Sequence, residues 1–230
     1  MSSSTVLGQR LASVAQQVRE GAVLADVGTD HGYLPLFLLK SGRIGTAHLC
    51  DINEGPLNSA RANLAGEGFC DRVQFHLCDG ASALSDLGIT DYVIAGMGGE
   101  LIADIIGKAP HLFTPGVRLI LQPMSKQAYL RNYLASSGFS IITERYCCDE
   151  GKYYLVIVCQ YSGNLCEISP IDAELGVSEV LREDREFYLG YIRGKERSLN
   201  KTVEGKALGG VDSLSECEIL RAIREKIKEF

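Results

Sequence analysis

The residues best placed to do chemistry stand in one turn, residues 26–33, which read DVGTDHGY. The apolar run from Ala22 to Val27 predicts a buried strand before it, and Tyr33 to Lys40 predicts a helix after it. A glycine turn between a strand and a helix lets a ligand approach the backbone, and the helix dipole favours a negatively charged group there. Because Gly28 and Gly32 are four residues apart, the turn lacks the GxGxxG spacing typical of pyrophosphate cofactors. The predicted ligand-binding residues of this turn are Asp26, Gly28, Asp30, Gly32 and Tyr33.

Two further aspartates follow the next two strand-like runs. Asp51 comes after Thr46 to Cys50 and 23 residues after Gly28, and Asp79 comes after Val73 to Cys78. A carboxylate at the first position can accept hydrogen bonds from ribose hydroxyls, and one at the second can accept from an adenine amino group. Each aspartate, like the glycine turn, is by itself also typical of a cap or a plain turn. Their occurrence at successive strand ends favours a nucleoside site formed by Asp51, Ile52, Asp79 and Gly80.

A glycine-rich segment, Gly96-Met97-Gly98-Gly99, follows the strand-like run from Asp91 to Ala95. We interpret it as a loop with free backbone groups, an open floor for an acceptor molecule, although a tight strand-to-helix turn is the alternative. Gln122-Pro123 ends the next strand-like run, Val117 to Leu121, at the same predicted edge of the sheet.

Strand-like and helix-like segments alternate through the first two thirds of the chain, which predicts a parallel sheet wound on both faces. Helical spacing covers residues 6–20, 54–66 and 126–137, and a helix starts at Leu101. Phe139 to Cys147 and Lys152 to Gln160 are joined by a short turn, so the sheet is expected to end in an antiparallel hairpin.

The C-terminal part, from residue 163, has a different character. Residues 177–206 are charge-rich and helical, Leu208-Gly209-Gly210 breaks the pattern, and a second helix starts at Leu214. The apolar seam of the first helix is formed by Leu181, Tyr188, Ile192, Leu199 and Val203. We therefore predict two domains, 1–162 and 163–230, the second a helical hairpin resembling a short coiled coil.

The amino-acid composition bears on the ligands, the location and the metal content that we expect. The net charge of −6 argues against a protein that coats nucleic acid non-specifically, though a local basic patch remains open. No apolar run approaches the roughly 18 residues that span a bilayer, and Arg10, Arg19 and Glu20 interrupt any signal-peptide layout, so we expect a cytoplasmic protein. The eight cysteines form no CxxC pair, which predicts free, mostly buried thiols and no metal site.

Several motifs together resemble the bacterial tRNA adenine-N1 methyltransferases that act on adenine 22. They are DVGTDHGYLP, the GPLNSA after the second strand, AGMGGELIADI, LILQP and EGKYYLVIV, in this order within residues 5–162. The resemblance implies a class I methyltransferase-like (Rossmann-like) fold, S-adenosylmethionine as cofactor and tRNA as substrate. It implies that Gly28, Asp30 and His31 line the boundary between cofactor and acceptor, and that Asp51 binds the ribose.

The same resemblance places Asp79 and Gly80 beside the cofactor adenine, and residues 96–99 with Gln122 and Pro123 on the acceptor side. This chain departs from the family's usual sequence at two places. It has Met124 where the family usually has Asn, and Cys50-Asp51 where the family usually has a Gly-Glu pair. Three alternative functions therefore remain open. The chain could be a methyltransferase that acts on another RNA, a protein or a small molecule, a dinucleotide-binding oxidoreductase, or a non-catalytic RNA-binding relative.

Methylation at N1 needs no prior deprotonation, because that nitrogen carries a lone pair at neutral pH, but the product base is a cation. We expect the enzyme to align the atoms and to stabilise the developing charge. Asp30 is the predicted catalytic carboxylate, accepting from the exocyclic amine, with His31 orienting it or touching the ring. An N-cap role for Asp30 and a packing role for His31 are the alternatives. Tyr33 and Tyr129 are candidates to stack on a flipped base.

Basic residues are concentrated in the predicted helical hairpin, and we expect this hairpin to hold the tRNA through phosphate contacts. The alternative is a solvated helix face or a dimer contact, and we expect a monomer or weak homodimer. The predicted tRNA-binding residues are Arg193, Lys195, Arg197 and Lys201.

Overall fold

The computed structural model describes residues 7–177, 179 and 182–230. Seven strands run through this part of the chain: β1 (Val23–Val27), β2 (Thr46–Asp51), β3 (Val73–Leu77), β4 (Asp91–Gly98), β5 (Arg118–Ser125), β6 (Phe139–Asp149) and β7 (Lys152–Tyr161). The α-helices are α1 (Gln9–Gln17), α2 (Tyr33–Lys40), α3 (Glu54–Gly66), α4 (Gly99–Gly107), α5 (Gln127–Ser136), α6 (Pro170–Leu175), α7 (Arg185–Leu208) and α8 (Leu214–Lys228).

The strands form one sheet in the order β3-β2-β1-β4-β5-β7-β6. The first five strands are parallel, and β7 pairs antiparallel with both β5 and β6. The chain winds outward from β1 to β3 and then returns to place β4 on the other side of β1. The strand order therefore reverses between β1 and β4, where open α/β sheets bind ligands at the carboxyl ends of their strands. The predicted mostly parallel sheet with an antiparallel end is confirmed.

Alternate strand residues pack into two hydrophobic clusters, one on each face of the sheet. Val27 and Leu121 belong to one cluster, and Leu24 and Ile120 belong to the other. Helix α1 covers the second face, because its Val14 is buried in the cluster with Leu24 and Ile120. The docking of α1 on the sheet matters for function, since it brings the first turn of this helix to the ligand-binding edge.

The structure moves several predicted boundaries. Helix α1 spans Gln9–Gln17 within the predicted 6–20, and residue 6 lies outside the described residues. Strands β4 and β5 continue to Gly98 and Ser125, beyond the predicted ends, with register shifts near Met97. Helix α6, which was not predicted, is capped by Ser169, whose Oγ accepts from the Asp172 backbone N at 3.0 Å. Three of the eight free cysteines are buried, so the prediction of mostly buried thiols is wrong: Cys50, Cys147 and Cys159.

Helices α7 and α8 form the predicted antiparallel hairpin. Arg224 of α8 donates to Glu196 of α7 at 3.0 Å, and Lys206 pairs with Glu216 near the turn. Tyr188 of α7 packs in the same cluster as the sheet residues, and Leu181 of the predicted seam lies outside the described residues. The division at residue 162 stays a prediction. Among the residues described, no helix has both the length and the hydropathy needed to traverse a bilayer.

Candidate functional site

A cleft of about 320 Å³ opens at the carboxyl ends of β1, β2 and β4. Its volume lies within the range of small-molecule sites. Seven of the predicted site residues line it: Asp26, Gly28, Asp30, Tyr33, Asp51, Gly96 and Met97. Four further lining residues were not predicted: Arg10, Leu11, Leu34 and Ala95. The sequence therefore located the cleft, but not its wall on the α1 side.

Gly28 forms the tight turn at the end of β1. Its φ is +75°, and a Cβ at this position would lie 2.0 Å from Cε of Met97, so the Met97 methyl group lies against the glycine. The backbone N–H groups of Gly28 and Thr29 donate to the Cys50 carbonyl at 2.8 and 3.0 Å. Because both groups are engaged, this turn presents carboxylates and the Gly28 Cα to a ligand rather than free N–H groups.

Asp26 is a buried carboxyl at the end of β1. The pKa of Asp26 is raised to about 6, mainly by its burial and to a smaller extent by the nearby charge of Asp51, while the hydrogen bond from Thr29 opposes the shift. Thr29 Oγ1 donates to Asp26 Oδ2 at 2.6 Å and fixes the side chain. A carboxyl held in this environment gains most from a cation placed in the cleft.

Asp30, His31 and Tyr33 form a group at the mouth of the cleft. Oδ1 of Asp30 lies 3.2 Å from Nε2 of His31, and the rings of His31 and Tyr33 stack with centroids 5.4 Å apart. His31 has a φ of +57°, and its carbonyl accepts from Nδ2 of Asn63 at 2.9 Å. Asp30 and Tyr33 line the cleft, while His31 contacts both but is not a lining residue. Gly32 does not line the cleft either, since it caps the N-terminus of α2 and packs against Ala60.

The nucleoside residues predicted at the ends of β2 and β3 are only partly brought together. Asp51 lines the cleft, and its Oδ1 accepts from the Asn53 backbone N at 2.8 Å. Ile52 is exposed beside it. Asp79 lies outside the lining residues, with Oδ2 3.7 Å from Nζ of Lys108, and Gly80 packs against Ile105 of α4.

The glycines of residues 96–99 lie at the end of β4 and the start of α4 and do not form the open loop that we expected. Gly98 pairs with Ser125 as part of β4, and the backbone N of Gly96 donates to Oε1 of Gln122 at 3.2 Å. A Cβ on Gly99 would lie 2.4 Å from the carbonyl oxygen of Lys126. Gly99 is therefore needed for the close approach of α4 to the β5–α5 turn. Because the backbone groups of Gly96 and Gly98 are paired, the interpretation of this segment as a loop with free backbone groups is wrong.

Gln122 supports the cleft from the buried side, and Pro123 follows it within β5. The Gln122 side chain is fully buried, and its Oε1 accepts from Nη1 of Arg10 at 2.7 Å as well as from Gly96. Its Nε2 donates to the Pro123 carbonyl at 3.3 Å and approaches Sδ of Met124 at 3.5 Å. Neither Gln122 nor Pro123 lines the cleft itself. In the sequence Arg10 appeared only as a polar residue of an amphipathic helix, so nothing local indicated its position.

The four predicted basic residues of α7 point to different sides of the helix. Lys195 pairs with Glu174 and lines a groove between α5 and α7, together with Lys126, Tyr129, Ser198 and Thr202. Arg193, Arg197 and Lys201 are exposed and recur every four residues, which places them on one helix face. This face is called the basic stripe below.

Among the described residues, no group of three or more His, Cys, Asp or Glu side chains is arranged to hold a metal ion.

The chain matches the methyltransferase domain family over residues 7–157. It is 33% identical over 154 residues to the tRNA (adenine(22)-N(1))-methyltransferase of Bacillus subtilis (strain 168). The matched segment covers 67% of this chain and 65% of that protein, slightly less than two thirds of its length. A solved structure of a candidate tRNA (m1A22) methyltransferase from Streptococcus pneumoniae is similar with a TM-score of 0.81 and 30% identity, covering 96% of this chain and 100% of the other. Another structure of that protein, in complex with S-adenosyl-L-methionine, has a TM-score of 0.81 and 31% identity over 95% of this chain and 98% of the other.

Proposed function

The chain belongs to the methyltransferase domain family, among the tRNA (adenine(22)-N(1))-methyltransferases, and we propose that it methylates N1 of adenine 22 in tRNA with S-adenosylmethionine. The class I methyltransferase-like fold and the family resemblance expected from the sequence are confirmed. The observation that carries the proposal is the acidic cleft at the edge where β1, β2 and β4 end. It lies where folds of this type bind nucleoside cofactors.

The residues of the cleft fit the proposed cofactor, which supplies an electrophilic methyl group on a sulfonium. Asp26 and Asp51 place two carboxyl groups at its wall, and burial together with the nearby Asp51 raises the pKa of Asp26. We propose that Asp51 accepts from the ribose hydroxyls and that Asp26 faces the positively charged amino group of the amino acid end. Arg10, the one cation among the described lining residues, is suited to the carboxylate of that end.

Asp30 is the proposed catalytic carboxylate. It lies at the mouth of the cleft, where it can accept from the exocyclic amine of adenine and stabilise the positive charge that develops on the base. His31 lies 3.2 Å from Asp30 and stacks on Tyr33, so it can orient the carboxylate and support the tyrosine ring. Tyr33 is half exposed, which leaves one side of its ring available to stack on a flipped base.

The hydrogen bonds already made by the backbone of the turn at Gly28 argue against a dinucleotide cofactor. A pyrophosphate needs free backbone N–H groups at this point, and those of Gly28 and Thr29 already donate to Cys50. The acidic side chains of the cleft would also repel a pyrophosphate.

The basic stripe and the groove beside Lys195 are the proposed tRNA contacts outside the cleft. Because tRNA is the proposed substrate, we also propose a cytoplasmic location. The charged outer face of α7 favours a monomer or weak homodimer over an obligate assembly.

The test is to incubate the purified chain with an unmodified tRNA transcript and S-adenosylmethionine, and to map the product by mass spectrometry. We expect one methyl group on N1 of adenine 22. A matched transcript in which adenine 22 is replaced by guanine should stay unmodified. Methylation of another nucleotide, or none on a transcript that binds, would contradict the proposal.

A further inference from the structure

The tetrapeptide HLCD occurs twice on neighbouring strands of the sheet. Residues 48–51 lie in β2, whereas residues 76–79 begin in β3 and continue past its end at Leu77. The register pairs Cys50 with His76, and the backbone N of Cys78, two residues later, donates to the Asp51 carbonyl at 3.0 Å. Cys78 packs against the hydrophobic cluster that contains Cys50. Each cysteine directly precedes an aspartate, Asp51 or Asp79. The repeat therefore places two thiols next to Asp51, which lines the cleft.

The two thiols share one hydrogen-bond acceptor. Sγ of Cys50 lies 3.2 Å from the Gly80 carbonyl oxygen, and Sγ of Cys78 lies 3.4 Å from the same atom. Both sulfur atoms therefore lie within 3.4 Å of one oxygen, which brings the two thiols close to each other. Cys50 is fully buried, whereas Cys78 is half-buried, so a small reagent from solvent reaches Cys78 first.

The contact gives the two thiols different pKa values and therefore different reactivity. The pKa of Cys78 is lowered to about 7, because the single S–H of the neighbouring Cys50 can turn from Gly80 to the Cys78 thiolate, with a further contribution from the Ala83 backbone. The pKa of Cys50 is raised, because the interaction with Cys78 holds its proton and because it is buried. The more exposed partner is the better nucleophile, and the buried partner is held in contact with it.

We propose that Cys50 and Cys78 form a redox-active dithiol, oxidised by hydrogen peroxide to a reversible disulfide that weakens cofactor binding. The effect on the cofactor rests on the proposed function, whereas the disulfide does not. Buried thiols in contact with a more reactive neighbour are the arrangement from which such regulatory disulfides form.

The reaction balances in two steps. The Cys78 thiolate attacks one oxygen of hydrogen peroxide, the O–O bond breaks, and hydroxide leaves, so sulfur is oxidised to the sulfenic acid. The sulfur of Cys50 then attacks the sulfenic sulfur, the S–S bond forms and the S–O bond breaks. The departing hydroxide takes up the Cys50 proton as water. Overall, two thiols and one peroxide give one disulfide and two waters, and an added dithiol returns two electrons and two protons.

The disulfide would disturb the ligand-binding edge. Because Cys78 lies diagonally from Cys50 across the two strands, bridging must draw the segment after β3 towards β2. The Gly80 carbonyl also loses both of its thiol donors, since a disulfide has no S–H group. Both changes act within one residue of Asp51 or Asp79, and Asp51 lines the cleft.

The experiment uses the full chain carrying Cys70→Ser and Cys166→Ser, which removes the two exposed thiols that could join separate molecules. The protein is treated with hydrogen peroxide, and peptides are mapped by mass spectrometry before and after dithiothreitol. We expect a Cys50–Cys78 cross-link with the loss of about two mass units, reversed by the reductant. Adding Cys50→Ser should instead leave oxygen adducts on Cys78, and adding Cys78→Ser should make residue 50 unreactive.

Cofactor binding is measured on the same samples by titration calorimetry. We expect the affinity for S-adenosylmethionine to fall by about tenfold or more on oxidation and to recover on reduction. Peroxide treatment that leaves both thiols free, or takes Cys78 to the sulfinic acid without a cross-link, would overturn the dithiol. A cross-link without loss of affinity would overturn its effect on the cofactor. Failure of the reduced protein to bind the cofactor would instead count against the proposed function.

Discussion

Nη1 of Arg10 donates a hydrogen bond of 2.7 Å to Oε1 of Gln122, which joins the first helix to strand β5. The same oxygen accepts from the backbone N of Gly96, so one buried amide holds α1, β4 and β5 together at the cleft. The bond leaves the guanidinium at the cleft wall with several donors still available, since Arg has five. Gln122 therefore acts as a positioning residue for Arg10.

Replacing Arg10 by Met should weaken binding of S-adenosylmethionine by about 10- to 100-fold, the usual effect of losing a charge-assisted hydrogen bond. The reason is that Arg10 is the cation among the described lining residues, whose other charged members are Asp26, Asp30 and Asp51. Titration calorimetry measures the change. Arg72→Met is the matched control, because Arg72 lies over the ring of Phe69 on another part of the surface. Equal affinities for the Arg10 variant and the control would show that Arg10 does not contact the cofactor.

Replacing Asp30 by Asn should lower the single-turnover rate of methyl transfer by about 100-fold or more, a typical effect of removing a group that stabilises the transition state. Cofactor affinity should fall much less, because Asp26 and Asp51 remain at the cleft wall. Rapid-quench assays with saturating tRNA separate the two effects. Asp71→Asn serves as the control carboxylate away from the cleft. A rate within threefold of the unmodified chain would remove Asp30 from the chemical step.

The order of strands and helices could be predicted because each strand-like run before the hairpin is short and is followed by a polar residue or glycine. The same rule located Asp26, Asp30 and Asp51, since the carboxyl ends of parallel strands meet at one edge. Arg10 could not be found in this way, because its position depends on how α1 docks across the sheet. The role of Gly99 was missed for a similar reason, as only the folded chain shows the Lys126 carbonyl beside it.

Replacing Asp26 by Asn should stabilise the protein without ligand at pH 8. Folding raises the pKa of Asp26 from 3.8 to about 6, so this carboxyl favours the folded state only where it is protonated, and that contribution is lost as the pH rises through 6. We expect the free energy of unfolding to rise by about 1–3 kcal/mol at pH 8. The gain should shrink as the pH falls from 6 towards 4. Urea denaturation at several pH values measures it, and a gain independent of pH would contradict the assignment.

Replacing Gly99 by Ala should destabilise the fold by about 1–3 kcal/mol, the usual cost of forcing an extra methyl group into a packed site. The added Cβ would meet the Lys126 carbonyl at 2.4 Å, and a backbone atom cannot move aside cheaply. Gly205→Ala is the control, because Gly205 lies in α7 with nothing near its would-be Cβ. That change should stabilise the protein by up to about 1 kcal/mol. Similar urea midpoints for the two variants would refute the packing argument.

The basic stripe and the groove beside Lys195 make different predictions for tRNA binding. Arg193, Arg197 and Lys201 lie exposed on one face of α7, and no ion pair is seen for them among the described residues, so they are available to phosphates. Replacing all three by Gln should weaken tRNA binding and reduce the slope of log affinity against log salt by up to about three, roughly one for each phosphate that is no longer neutralised.

Lys195→Gln is the matched test of the groove, because its ammonium already pairs with Glu174 on the other side of the helix. We expect this variant to change the salt slope by less than about one half, because a lysine already paired with a carboxylate releases fewer counterions when RNA binds. Fluorescence anisotropy over a range of salt concentrations measures both variants, and cofactor titration checks that the cleft is intact. A larger loss of affinity for Lys195→Gln than for the triple variant would place the RNA in the groove between α5 and α7. In that case the basic stripe would be only a solvated helix face.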